Sequence, residues 1–203
     1  MFMALLASLA LWLVSTSAQT PAPARPVLVV FETGLGTITM EIDVVRAPIT
    51  GGNFLKYVDG GFYAGGIVNR AVRPDNTVRK DVEIQVIQFQ SDPARLDMFP
   101  PIPMERTSVT GLKHLDGALS MARSGPDTAR ASFSIVINDQ PEMDFGGRRN
   151  PDGQGFAVFG KVVDGMDVVR KIHAASTRPA GREGAYGTEG LDPPIKVFKA
   201  YRK

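Results

Sequence analysis

One cation stands out among the side chains that could act on a substrate. Arg70 lies in GGIVNRAV (65–72), beside Ile67, Val68, Ala71 and Val72. Those neighbours favour a buried strand, whereas a guanidinium keeps its charge at any ordinary pH. A strand arginine usually faces solvent. Period 2 puts Arg70 on one face with Val68 and Val72, so it borders apolar surface either way. The other reactive residue types are sparse. There is no cysteine, which removes thiol nucleophiles, disulfides and zinc–thiolate sites. The two histidines are His114, in the turn-like or surface segment LKHLDG, and His173, on the polar side of a candidate helix. Ser120 and Ser134 have no partner histidine placed by a recognisable elbow motif. GGRRNPDGQG (146–155) lacks the Gly-Lys-Ser/Thr ending of a phosphate-binding loop and reads as a surface loop. SDPARLD and NPDGQG hold too few spaced carboxylates for a calcium loop. Nothing in this inventory points to acid–base, nucleophilic or metal chemistry.

The elements that must position Arg70 follow from hydrophobic period. PVLVVFETGLGTITMEID reads as two strands joined at Gly34–Gly36, with Ile38, Met40 and Ile42 on one face. APITGGNFLKYVDGG changes to helical period: Pro48 starts it, Phe54 and Val58 stack at i,i+4, and Gly60 ends it. A second helix is expected over DGMDVVRKIHAA (164–175), with Asp164 as cap and Met166, Val169 and Ile172 as the apolar stripe. Between and after them lie short apolar runs: GIVNRAV, VEIQVIQF, GALSMA, SFSIVI, GFAVFGKV and PIKVFKAYR. Two helices and about eight strands separated by Gly/Pro loops imply a mainly β protein, a closed antiparallel barrel capped by the helices.

The 203 residues fit one globular domain with an appendage. Residues 1–18 read as a signal peptide: an apolar run through Val14, then STSA, a small-x-small cleavage pattern before Gln19. The run is short for a membrane span of ~20 residues. Its lack of Lys or Arg leaves an uncleaved anchor as the alternative. Residues 19–26 form a Pro/Ala spacer, and the domain is placed at 27–203. With 23 Lys+Arg against 21 Asp+Glu and no dense cationic cluster, nucleic acid is not an expected partner.

GTITMEIDVVRAPITGGNFLKYVDGGFY, then NRAV, VIQ, GALSMARSGPDTARASFSIVI and FAVFGKVVDGMDVVRKI resemble, in order, the cyclophilin pattern of divergent bacterial members. LSMARSGPDT and VFGKVVDGMDVV are the most specific parts. The resemblance implies an eight-stranded antiparallel barrel capped by two helices, and peptidyl-prolyl cis-trans isomerase activity without a cofactor or metal; with the signal segment, exported polypeptides are the expected substrates. The expected partners are proline-containing chains, with no stable membrane insertion after cleavage, and the protein is expected to be a monomer in the periplasm or secreted.

Arg70 falls on the family's catalytic arginine, and Gln88 on the glutamine that contacts the substrate backbone. Val86, Ala122, Arg123, Ser124, Phe133, Met143, Phe156 and Asn69 fall on substrate-binding positions. Removing Arg70 from such a groove face should open no core cavity and leave the melting temperature nearly unchanged. The departures are Val68–Asn69 for Phe-His, Phe89–Gln90 for a glycine pair, Ser132 for a second glutamine, Ser134 for a pocket phenylalanine, Phe156 for a histidine, and Glu142 at the place of the cyclosporin-contacting tryptophan. They imply lower efficiency and keep a second reading open: a non-catalytic module that holds Pro-containing or unfolded chains in the same groove.

Overall fold

A computed structural model of the chain describes residues 26–203. The expected signal segment, and the spacer up to Pro26, lie outside the described residues. The first hairpin pairs β1 (Val27–Thr33) with β2 (Gly36–Ile42) across the turn at Gly34 and Leu35. Ile38, Met40 and Ile42 face the core as the alternation requires. The α1 helix (Pro48–Asp59) follows, with Pro48 in its first turn and Gly60 as its C-cap. Its own residues offer no side-chain cap. The Glu105 carboxylate, from a distant loop, accepts from Ile49 N–H at 3.0 Å and Thr50 N–H at 2.7 Å, which satisfies first-turn donors and places negative charge at the positive end of the helix.

The next strands are β3 (Ile67–Val72), β4 (Val86–Gln90), β5 (Ala118–Met121) and β6 (Phe133–Val136). A one-turn helix, α2 (Thr107–Thr110), not anticipated from the sequence, sits between β4 and β5. β7 (Ala157–Asp164) leads into α3 (Met166–His173), and β8 (Gly190–Arg202) comes last. Asp164 does not cap α3; it belongs to β7, and Gly165, in the left-handed region at φ 90°, is the N-cap. A side chain there would meet Thr37 O at 2.4 Å, so the close approach to β2 demands glycine. Val169 and Ile172 are fully buried beneath α3, with Met166 packed beside them.

All pairings are antiparallel, and the sheet closes in the order β1-β2-β7-β5-β6-β4-β3-β8. The interior is an aromatic cluster: Phe89 stacks on Phe133 at 4.8 Å, and Phe31, Phe54, Tyr63 and Phe159 pack against them or one another. No helix among the described residues is long and apolar enough to cross a membrane.

Candidate active site

The outer faces of β3, β4, β6 and β5 form the floor of an open cavity of about 550 Å³. Register sets that floor. Arg70 stands opposite Gln88, Gln88 opposite Ser134, and Ser134 opposite Ser120. Directly paired residues point to the same face, so these four make one polar row across four strands, and each lines the cavity. The neighbouring row, Val68–Phe89–Phe133–Met121, points inward and is the barrel core.

This explains why two sequence expectations fail. Phe133 is one residue away from the floor and fully buried among aromatics, so it supplies core rather than pocket wall. Asn69 is the extra residue of a β-bulge between Val68 and Arg70. It does not line the cavity; its Nδ2 donates to Gln90 Oε1 at 2.6 Å. The bulge also breaks period 2: Arg70 shares the outer face with Val72, while Val68 turns inward.

Eight of the ten expected positions do line the cavity. Val86 joins Arg70 and Gln88 on the floor, Ala122, Arg123 and Ser124 come from the segment after β5, and Met143 and Phe156 from the long segment before β7. The Arg123 guanidinium is already committed. It makes a bidentate pair with Asp152 at 2.8 and 2.9 Å, donates to Gly155 O, and lies 5.3 Å from the Phe156 ring. That pair holds the Asp152 carboxyl at about 2 and ties the 146–155 loop to the cavity wall. Glu142 is at the surface, where its carboxylate accepts from the Arg148 side chain.

Arg70 is gripped from outside the strands that carry it. Its Nε and Nη2 donate to Glu189 Oε2 at 2.8 and 2.5 Å, and Nη1 donates to Gln88 Oε1 at 3.2 Å. Glu189 is only 3% exposed. Burial pushes its carboxyl up, but the Arg70 charge and donors from Arg70, Thr77 and Val78 outweigh this and hold it below the usual range. The Tyr186 ring lies 5.1 Å from the Arg70 carbon, and its hydroxyl accepts from Gln88 Nε2 at 3.3 Å. A guanidinium has five N–H donors. Three are spent on Glu189 and Gln88, leaving two with no protein partner among the described residues. Sequence reasoning missed Glu189 and Tyr186, because both arrive from GAYGTEG, a glycine-punctuated segment with no periodicity. The Glu189 pair argues against the expectation that removing Arg70 leaves stability nearly unchanged, because it would strand a buried carboxylate.

His114 departs furthest from expectation. It is 1% exposed rather than a surface residue. Burial lowers its pKa, although the Asp144 carboxylate partly opposes this. The neutral ring donates from Nδ1 to Asp144 Oδ1 at 2.8 Å, so Nε2 accepts from the Ser120 hydroxyl at 2.9 Å. The order Ser–His–Asp is that of a hydrolase triad, but Ser120 sits mid-strand and is 1% exposed, not at a sharp exposed turn. The chain of bonds anchors the far end of the polar floor. His173 is likewise not a free helix-surface residue: its Nε2 donates to Val72 O at 2.8 Å, at the end of β3.

A barrel of this order with an arginine-centred groove on its outer face is the cyclophilin architecture. Residues 28–191 match the family model described as cyclophilin type peptidyl-prolyl cis-trans isomerase/CLD, and the chain belongs to that family. It is 36% identical over 154 residues to peptidyl-prolyl cis-trans isomerase A of Dickeya dadantii, covering 75% of this chain and 74% of that one. It is 35% identical over 160 residues to peptidyl-prolyl cis-trans isomerase B of Escherichia coli, covering 78% and 90%. Its fold is similar to a cyclophilin-type isomerase of Cryptosporidium parvum, with a TM-score of 0.67 at 18% identity over 88% of this chain and 98% of that one.

Proposed function

We propose that the protein accelerates rotation about X–Pro peptide bonds, with Arg70 as the catalytic residue and Gln88 holding the substrate backbone. The observation that carries this reading is the fixed guanidinium on the cavity floor with two N–H donors unspent. Amide resonance opposes rotation by ~18–20 kcal/mol, and X–Pro bonds exchange only in tens to hundreds of seconds unaided. At the twisted transition state the proline nitrogen becomes pyramidal and gains a lone pair. A donor that meets this lone pair binds the transition state better than the flat amide, which is catalysis by differential binding. No proton is transferred and no covalent bond forms.

The test is exchange NMR on an Ala-Pro peptide. Arg70→Ala should lose ~10²–10³ in rate, as expected for a preorganised donor. Arg70→Lys should be nearly as damaging, because an ammonium lacks the planar fork that Glu189 and Gln88 orient. A wild-type protein that binds the peptide without accelerating exchange would establish the holding module instead. Equal activity in Arg70→Ala would remove Arg70 from the mechanism.

The substrates we assign are exported polypeptides that fold slowly at proline. The support is the apolar run and STSA pattern of residues 1–18. N-terminal sequencing from the native host should give a chain starting near Gln19, outside the cytoplasm. Intact Met1 in the membrane fraction would show an anchor.

A further inference from the structure

Five arginines line the cavity (Arg70, Arg79, Arg123, Arg130 and Arg149), against one acidic residue, Asp97. Four of them have carboxylate partners. Arg70 takes Glu189, Arg123 takes Asp152, Arg79 takes Asp81, and Arg130 takes Asp97. Arg149 has none among the described residues, and residues 1–25 contain no Asp or Glu to supply one. Its only side-chain hydrogen bond among the described residues runs from Nη1 to Val82 O at 3.0 Å, so four of its five donors have no partner there. The adjacent Arg148 is different: it is exposed and takes Glu142 at the surface. The half-buried Arg149 is the one turned to the cavity.

A partly desolvated guanidinium without a counter-ion is costly. Burial, and after it the charges of Arg70 and Arg79, push the Arg149 pKa down, only partly offset by Glu189 and Asp81. Arg79 adds to this rather than relieving it, and it is held close because its Nη1 and Nη2 donate to the backbone carbonyls of Arg149 and Arg148, which also holds the loop in place. Arg123 fixes the other end of the same loop through Asp152 and Gly155. The loop therefore presents Arg149 on a rigid support at the rim of the groove that holds Arg70. An arginine fork of this kind matches a carboxylate bidentately.

We infer that the groove selects proline peptides carrying a Glu or Asp side chain within two residues of the proline, with Arg149 as the specificity-determining residue. This rests on the isomerase reading above and names its substrate class.

The test uses the full mature chain and amide-capped peptides that differ only by Glu or Gln at each of the two positions on either side of Ala-Pro or Pro-Ala. Exchange rates and, separately, peptide affinities from chemical-shift titration are measured. At one or more positions the Glu peptide should be preferred by about 10-fold, which corresponds to ~1.4 kcal/mol. Arg149→Gln should bring that ratio near one, and Arg149→Lys should restore part of it. Arg148→Gln, with the same change in net charge, should leave the ratio intact. Raising salt from low to half-molar should shrink the ratio, as for a partly exposed pair. Glu/Gln ratios near one at every position, with exchange still accelerated, would overturn the inference and leave the isomerase reading standing. A preference that survives Arg149→Gln would also overturn it. If no peptide is accelerated, the isomerase reading fails, and the affinity ratio alone still decides whether Arg149 selects acid.

Discussion

Arg70 and Glu189 depend on each other. The Arg70 side chain is 21% exposed and Glu189 is 3% exposed, so removing the guanidinium leaves a buried carboxylate with neutral donors only. Breaking a fully buried pair costs ~3–5 kcal/mol and an exposed one under ~1; at this intermediate depth Arg70→Ala should lose about 1–3 kcal/mol in urea unfolding. The double variant Arg70→Ala/Glu189→Gln should recover more than half of the loss, since the uncompensated charge is gone. A double variant no more stable than Arg70→Ala would show that Glu189 carries no such penalty. Arg70 was legible from its place in an apolar run and from the family motif. Glu189 was not, because it is 119 residues away and nothing local marks it.

At the scale of elements, the strands were read well where alternation is clean and poorly where a single residue breaks it. In β2 the apolar residues Ile38, Met40 and Ile42 alternate and all three are buried as expected, with Thr39 buried between them. In β3, the bulge at Asn69 reverses the face of everything before it, and no period-based reading of six residues registers that. The α1 and α3 stripes were legible, but their N-termini were not: a distant Glu105 serves α1, and Gly165 enters α3. The burial of His114 is not legible in its own segment because it comes from partners elsewhere in the chain, Asp144, Ser120 and the Phe156 ring. Its consequence is a pH dependence of stability. The folded pKa of His114 lies below its unfolded value, chiefly through burial, and His173 shifts the same way, again chiefly through burial. The unfolded chain therefore binds protons first as pH falls, and stability, complete above the unfolded value of ~6.5, is lost as pH drops below it. Urea midpoints should fall between pH 7.5 and 5.5. The His114 ring shifts in NMR should show it still neutral at pH 6.5, and a ring already half protonated there would refute the assignment.

For the whole molecule, barrel closure was legible because the strands are short, numerous and set off by Gly and Pro, and because two stretches match a family motif closely. The loops that complete the site were not. The composition of GGRRNPDGQG points to a surface loop, yet it sends Arg149, Asn150 and Pro151 to the cavity while keeping Arg148 outside. Loop placement depends on pairs such as Arg123–Asp152, which local composition does not encode. The closing strand has a further consequence, in time rather than in space. β8 pairs with both β1 and β3, strands from the first half of the domain. Glu189 and Tyr186, which grip the site arginine, immediately precede it in the chain. During synthesis β1 and β3 therefore wait with an open edge until residues 190–202 have cleared the ribosome. The four strands of the groove floor are all made before this segment, so a nascent chain that already carries Arg70, Gln88 and Phe156 still has no Glu189 to pair with its arginine. A protein proposed to assist slow folding must complete its own most non-local contacts before it can help another chain.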